Sequence, residues 1–166
     1  MGNGELTDKE IVFEFFSLFS RFEYALKRGG FLRKGKRAKP DWEAYADTLR
    51  GLFSKVNDEA FKRTCAYLKE IPPEKQIVIQ YKMDWEKTTQ KSGESEERYV
   101  LRLVRTVRNN LFHGGKYPYT FGPTRNDDRN RRLLKTSGVI LKLCFSLSPD
   151  LRRIFIEDES SGEETA

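Results

Sequence analysis

Residues 95–119 read SEERYVLRLVRTVRNNLFHGGKYPY, and His113 within them is the only histidine of the chain. Ser95 offers a capping oxygen, and the two glutamates after it offer first-turn carboxylates, which is the usual start of a helix. The Gly-Gly pair that follows His113, together with Pro118, favours a helix end. The sequence therefore predicts one helix from Glu96 to about His113.

This helix is amphipathic. At about 100° per residue, one face is apolar and is expected to pack in the core; it carries Val100, Leu103, Val104, Val107 and Leu111. The opposite face is polar and carries Arg98, Arg102, Arg105, Asn109 and His113. The flank between the faces holds Arg108 with the apolar residues Leu101 and Phe112. We expect a second subunit to cover this flank.

The polar face suits a polyanion. Arginine forms fork-like hydrogen bonds to phosphate oxygens and stays charged at any usable pH. Histidine titrates near neutrality, so His113 can take a proton from a ribose 2′-hydroxyl or give one to a leaving 5′-oxygen. Arg108 can neutralise the charge that grows on the phosphorus centre, and Asn109 can orient the imidazole. Phosphate contacts are expected from Arg102, Arg105, Lys116 and Tyr117.

Two other interpretations of these residues stay open. His113 is five residues from Arg108, or about 140° apart on an ideal helix, so the pair converges only if the arginine reaches across, the helix unwinds at Gly114, or substrate bridges them. His113 would otherwise be a helix-end residue whose charge suits the macrodipole, with the arginines as a solvated face.

The sequence offers few metal ligands, since it has one histidine and two distant cysteines, so we expect no metal and no cofactor.

The segment RNNLFHGGK at 108–116 resembles the signature of the HEPN superfamily, in which an arginine, a polar residue directly after it and a histidine four to six positions later mark the ribonuclease members. Residues 13–27 are similar to the first helix of such domains. The resemblance implies an all-α fold, an up-and-down bundle of four to five helices that dimerises through the motif helix so that two motifs share one basic cleft. It also implies that Arg108, Asn109 and His113 take the catalytic positions.

The chemistry of these residues predicts a metal-independent endoribonuclease that leaves 2′,3′-cyclic phosphate and 5′-hydroxyl ends, and the resemblance implies that it acts as a toxin or an antiviral defence effector. The expected partners are RNA, a second copy of the chain, and an antitoxin or regulatory protein. The alternatives are a non-catalytic HEPN-like module that binds RNA or protein, and a nucleotide-binding subunit of a nucleotidyltransferase. In the HEPN subfamily regulated by nucleotide transfer a tyrosine stands two residues after the histidine, where this chain has Gly115.

The 166 residues fit one domain. We expect a flexible N-terminus over 1–7, a single helical domain over 8–156, and a disordered acidic tail over 157–166. The tail holds five of the 25 acids and no base, which leaves a net charge of +11 on residues 1–156. Such a body attracts nucleic acid. The sequence carries no secretory signal and no membrane-length apolar run, so we expect a cytoplasmic protein with reduced thiols.

Helix start and stop signals outside the motif predict four further helices and a short closing element, and they leave one segment uncertain. The predicted helices cover 8–27, 42–56, 59–71 and 127–147, with a closing turn or helix over 151–156. Residues 76–83 alternate in hydropathy but offer no convincing partner strand, so they are interpreted as a short helix or an extended packing segment. Residues 27–39 hold seven bases and no acid, which indicates either a mobile RNA-contacting loop or a solvated one.

Overall fold

The computed structural model of the chain describes residues 7–112 and 127–161. Six helices lie in these ranges. They are α1 (Asp8–Arg28), α2 (Trp42–Thr48), α3 (Glu59–Glu70), α4 (Glu96–Phe112), α5 (Asp127–Leu147) and α6 (Pro149–Ser161). Two strands, β1 (Glu74–Ile79) and β2 (Lys82–Lys87), pair antiparallel between α3 and α4.

The helices begin where the sequence places capping residues. Thr7 forms a capping box with Glu10, in which each side chain bonds the backbone of the other residue, and the Glu10 carboxylate lies 2.7 Å from the Thr7 nitrogen. Asp58 caps α3 by accepting from the backbone of Ala60 at 2.8 Å and of Phe61 at 3.1 Å. Because these signals are local in sequence, the predicted starts of α1 and α3 are confirmed.

The core forms around α5, which packs against α1, α3, α4 and α6, while α2 packs against α4. Its centre is aromatic: the ring of Phe22 lies 5.2 Å from Trp42, 5.6 Å from Tyr45 and 4.6 Å from Phe145. The buried Tyr45 hydroxyl reaches the Cys144 carbonyl of α5 at 3.2 Å, which ties α2 to α5. Such ring pairs add directional contacts to ordinary apolar burial.

The predicted all-α bundle of four to five helices is wrong, because the described chain contains six helices and a two-stranded antiparallel sheet. Residues 76–83 belong to both strands and to the turn between them. The missing partner strand is the sequence immediately after the turn, with Val78 opposite Met83 and Ile79 opposite Lys82. Gln80 and Tyr81 form this turn with φ values of +48° and +63°. The prediction failed because glycine or asparagine, the usual residues of such turns, are absent.

Two other boundaries differ from the expectation. The helix expected over 42–56 stops at Thr48, because Gly51 adopts a φ of +74° and only a single 3₁₀ turn follows over Phe53–Lys55. The closing helix α6 runs to Ser161, so residues 157–161 are helical where a disordered tail was predicted. The segments 1–6, 113–126 and 162–166 lie outside the described residues.

Within the described ranges, no helix combines the length and the apolar character that crossing a membrane requires.

Candidate functional site

Helix α4 carries the motif, and its burial follows the predicted wheel with one exception. Val100, Leu103, Val104 and Val107 are buried, as expected. The exception is Leu101, which was placed on the uncovered flank but is only 1% exposed. Phe112 on the same flank is 47% exposed. The uncovered apolar surface of α4 is therefore confined to its last turn, beside Arg108.

Two arginines of the polar face are held by carboxylates. Arg98 forms a two-point ion pair with Asp47 of α2, in which its Nε lies 2.7 Å from Oδ1. Arg102 binds Glu94 through Nε at 2.8 Å and Nη2 at 2.6 Å, and Nη2 also donates to the Thr89 carbonyl. Arg102, predicted to contact substrate, is thus committed to a carboxylate within the chain.

The electrostatics of the Arg102–Glu94 pair reflect this contact. Partial burial acts to raise the pKa of Glu94, but hydrogen bonds from Arg102 and from the Lys91 backbone outweigh it and hold that pKa below its ordinary value. The hydrogen bonds to Glu94 likewise raise the pKa of Arg102. Binding of a phosphate by Arg102 would have to displace Glu94.

Arg105 contacts an aromatic ring and makes no ion pair with a described acid. Its guanidinium lies 6.0 Å from the ring centre of Trp42, whose indole nitrogen donates to Glu23 at 3.0 Å. Burial lowers the pKa of Arg105, and the nearby charge of Arg33 lowers it further. The carboxylates of Glu43, Glu23 and Asp41 act in the opposite direction, so Arg105 lies among charges of both signs. Glu23, which the sequence left as an orienting group or a solvated charge, serves as the acceptor for Trp42.

Arg108 and Asn109 lie side by side near the end of α4. Nη1 of Arg108 donates to Oδ1 of Asn109 at 3.3 Å, and Asn109 is exposed. The guanidinium stacks 4.3 Å from the ring centre of Phe112 and 5.6 Å from that of Phe19. Its Nε is buried and has no hydrogen-bond partner among the described residues. Arg108 is therefore positioned by aromatic rings, and no carboxylate of the described chain neutralises it.

The rest of the predicted site falls outside the described residues. His113, Lys116 and Tyr117 all belong to the segment that follows α4. The structure brings Arg108 and Asn109 together and leaves Arg102 and Arg105 further up the helix, towards α2. The predicted contacts of His113 with Arg108 and Asn109 stay predictions.

Asn110 was not singled out from the sequence. It is 7% exposed, and its Nδ2 donates to the Glu74 carbonyl at 2.7 Å, which joins α4 to the first residue of β1. A buried amide whose donor is satisfied by a strand backbone is a structural anchor. Its position on the inward face of α4, among valines, was the signal that could have identified it.

The basic segment after α1 forms a closed loop beside Arg105. Leu32 and Pro40 make an antiparallel bridge, Arg33 N donates to the Lys39 carbonyl at 3.0 Å, and Asp41 N donates to the Phe31 carbonyl at 2.8 Å. Arg33 contacts Glu43 at 3.4 Å. The other bases of the loop are exposed and make no ion pair with a described acid; they are Lys34, Lys36, Arg37 and Lys39.

The basic loop, defined here as residues 33–39, lies near a groove between α2 and α4. The groove has a volume of about 650 Å³ and is lined by Trp42, Glu43, Arg98, Arg102 and Arg105, among others. Arg33 of the basic loop contacts Glu43, which lines this groove, so the loop and the groove are neighbours. Arg98 and Arg102 of the groove are paired with carboxylates, whereas Arg105 makes no ion pair with a described acid.

Comparisons with protein-family models, with curated proteins and with solved structures gave no match to this chain.

Proposed function

We propose that this protein is a metal-independent endoribonuclease of the HEPN type, in which Arg108, Asn109 and His113 act on the scissile phosphate. The observation that carries the proposal is the state of Arg108. Its guanidinium is held against Phe112 and bonded to Asn109, and no described acid neutralises it. An arginine positioned in this way can receive an anion.

The chemistry follows from the residues. His113 would take the proton from the ribose 2′-hydroxyl, and the resulting oxygen would attack the adjacent phosphorus. Arg108 would stabilise the negative charge that develops on the phosphate oxygens, with Asn109 aligning a phosphate oxygen or the imidazole. The 5′-oxygen would then leave with a proton from water or from a second histidine. The products would be a 2′,3′-cyclic phosphate and a 5′-hydroxyl.

The basic loop supports RNA as the substrate. Lys34, Lys36, Arg37 and Lys39 are exposed and have no acidic partner among the described residues, and Arg33 of the same loop lies close enough to Arg105 to affect its pKa. Contacts of this kind bind the phosphate backbone without reading its sequence. We propose that the basic loop and Arg105 hold one part of the RNA strand while Arg108 holds the phosphate to be cut.

The first test is cleavage of transfer RNA and total RNA by the purified protein in EDTA. We expect cutting by the native chain and its loss in His113→Ala and Arg108→Ala. Arg152→Ala, which removes an exposed arginine of α6, is the matched control and should cut normally. Circular dichroism must show that all variants are folded. Absence of cutting by the native protein, or equal cutting by all four, would contradict the proposal.

A second candidate function, RNA binding without cleavage, is favoured by the basic loop alone. It predicts that replacing Lys34, Lys36, Arg37 and Lys39 by alanine weakens RNA binding and lowers the slope of log affinity against log salt by about 3, at ~0.7 per lost phosphate contact. The matched control removes four exposed bases elsewhere, namely Lys55, Arg63, Lys142 and Arg152. Binding that depends on the basic loop, together with no cutting in the first test, would select this function.

A further inference from the structure

Two phenylalanine rings from different helices form an exposed aromatic surface at the end of α4. Phe16 of α1 and Phe112 of α4 lie with their ring centres 5.2 Å apart, at an interplanar angle of 39°. Phe16 is 40% exposed and Phe112 is 47% exposed. A single exposed ring needs no explanation, but two exposed rings in contact form a contiguous apolar surface. We call this pair of rings the aromatic platform.

The aromatic platform is continuous with Arg108. The guanidinium carbon of Arg108 lies 4.3 Å from the ring centre of Phe112 and 5.6 Å from that of the buried Phe19, which follows Phe16 by one turn of α1. Laid end to end, the contacts through Phe112 place the ring centre of Phe16 no more than about 9.5 Å from the guanidinium carbon. The cation and the two rings therefore belong to one surface.

This surface suits a ligand that is anionic at one end and aromatic at the other. A nucleotide of an RNA strand has both properties, because its phosphate accepts hydrogen bonds from arginine and its base offers a flat face for stacking on a ring. One sugar separates the two groups, so a base whose phosphate lies at Arg108 can reach the neighbouring rings. In a duplex the faces of each base are covered by its neighbours, so only an unpaired base can stack here.

We propose that the aromatic platform binds an unpaired base next to the phosphate held by Arg108, which makes single-stranded RNA the substrate class. This inference rests on the proposed function, since RNA must reach Arg108, but it does not require that the RNA is cut. A phenylalanine ring offers no hydrogen-bonding group, and stacking on it accepts every base. The platform therefore selects for unpaired RNA and not for a particular base.

An apolar surface of another protein fits this place less well. Covering Phe112 would also cover the guanidinium that stacks on it, and a charge that is removed from water without a partner is strongly unfavourable. No described acid neutralises Arg108, so such a partner would have to supply a carboxylate at this point. An RNA strand supplies the phosphate and the aromatic group together, in every nucleotide.

Phe16 is the residue whose replacement tests the platform most cleanly. Its ring contacts Phe112, whereas the described ring contacts of Arg108 are with Phe19 and Phe112. Replacing Phe112 would release Arg108 as well and would weaken phosphate binding and stacking together. Phe16→Leu removes one aromatic face and keeps an apolar side chain, and Phe16→Tyr keeps the aromatic face.

The test measures binding of two strands that cannot be cut, by fluorescence anisotropy in EDTA. One is a short single strand of 2′-O-methyladenosine, in which the methyl group blocks the 2′-oxygen, and the other has the same backbone without bases. The native chain should bind the adenosine strand at least ~5-fold more tightly, the lower end of what one stacked base contributes. Phe16→Leu should lose most of this preference while its affinity for the strand without bases stays unchanged. Phe16→Tyr should keep the preference.

Tyr81→Leu is the matched control, because it removes the fully exposed ring at the tip of the hairpin and should behave as the native chain does. Circular dichroism must show that every variant is folded. No preference in the native chain, an equal preference in Phe16→Leu, or equal weakening of both strands would overturn the proposal. So would a native dimer that Phe16→Leu dissociates in sedimentation, since protein would then cover the rings. Because neither strand can be cut, absence of ribonuclease activity does not affect this measurement.

Discussion

Arg108 illustrates how one side chain of α4 differs from its neighbours on the same helix. Arg98 and Arg102 each make two-point contacts with a carboxylate, whereas Arg108 contacts two aromatic rings and the amide of Asn109. A ring that stacks on an arginine occupies the face of the guanidinium and not its edge. Because the Nε of Arg108 is buried, its terminal nitrogens are the donors that can meet a ligand. This availability suits a phosphate ligand.

The fork, and not the charge alone, is what the proposed mechanism requires of Arg108. Lysine keeps the charge but donates as a single compact group, so Arg108→Lys should lower the cleavage rate by about 10- to 100-fold, less than the ~100- to 1000-fold that follows complete loss of one transition-state donor. Single-turnover cleavage of a short RNA measures this effect. A rate equal to that of the native chain would show that Arg108 acts only as a general positive charge.

Glu94 makes a pH-dependent contribution to stability. Because its pKa is lower in the folded chain than in the unfolded chain, the pair with Arg102 stabilises the fold above the ordinary carboxylate pKa and loses that effect as pH falls below it. Glu94→Gln should therefore lose less free energy of unfolding than the native chain between pH 6 and pH 3. Urea unfolding at several pH values in that range measures the free energy of unfolding of both proteins. An equal decrease in the two proteins would contradict this prediction.

At the scale of elements, the helices were more accessible to sequence analysis than the hairpin. Capping residues such as Thr7 and Asp58, and the 3.6-residue periodicity of α4, act over a few positions and can be recognised in the sequence. The hairpin depends on a turn of Gln80 and Tyr81, whose residue types favour other conformations. Its base depends on Asn110, a contact across 36 positions. Neither feature has a local signal.

The same distinction applies to the candidate site. The sequence predicted which side of α4 is polar, because that follows from periodicity. It did not predict that Asp47 and Glu94 neutralise two of the arginines, since those acids lie on other elements and meet α4 only in the folded chain. The bases of the loop, by contrast, could be recognised in the sequence because no acidic residue lies among them. Arg108 and Asn109 lie side by side because they are consecutive on α4, and the contacts of His113 stay a prediction.

The strain in the hairpin turn has a measurable consequence. Glycine adopts positive φ freely, so Tyr81→Gly removes the cost of about 1–2 kcal/mol that a side chain adds to the left-handed conformation. Because glycine also loses more backbone entropy on folding, we expect the free energy of unfolding to rise by up to about 1 kcal/mol. Tyr81→Ala keeps that cost and serves as the control. Urea unfolding at sub-micromolar concentration compares the three chains. A glycine variant no more stable than the alanine variant would show that the turn is not strained.

At the scale of the whole molecule, positive charge and apolar surface lie on different elements. The basic loop and the α2–α4 groove carry cations, whereas the hairpin tip is neutral and apolar. This separation leaves the hairpin tip outside the surface that we propose for RNA.

The central claim is that the ribose 2′-oxygen attacks the phosphate without a metal ion, and one substrate pair tests it most directly. A short RNA whose cut position has been mapped is compared in EDTA with the same RNA carrying a single 2′-deoxyribose on the 5′ side of that bond. The proposed mechanism predicts that the RNA is cut to a 2′,3′-cyclic phosphate and that the deoxy-substituted strand stays intact. Cleavage of the deoxy-substituted strand at the same bond would contradict the mechanism.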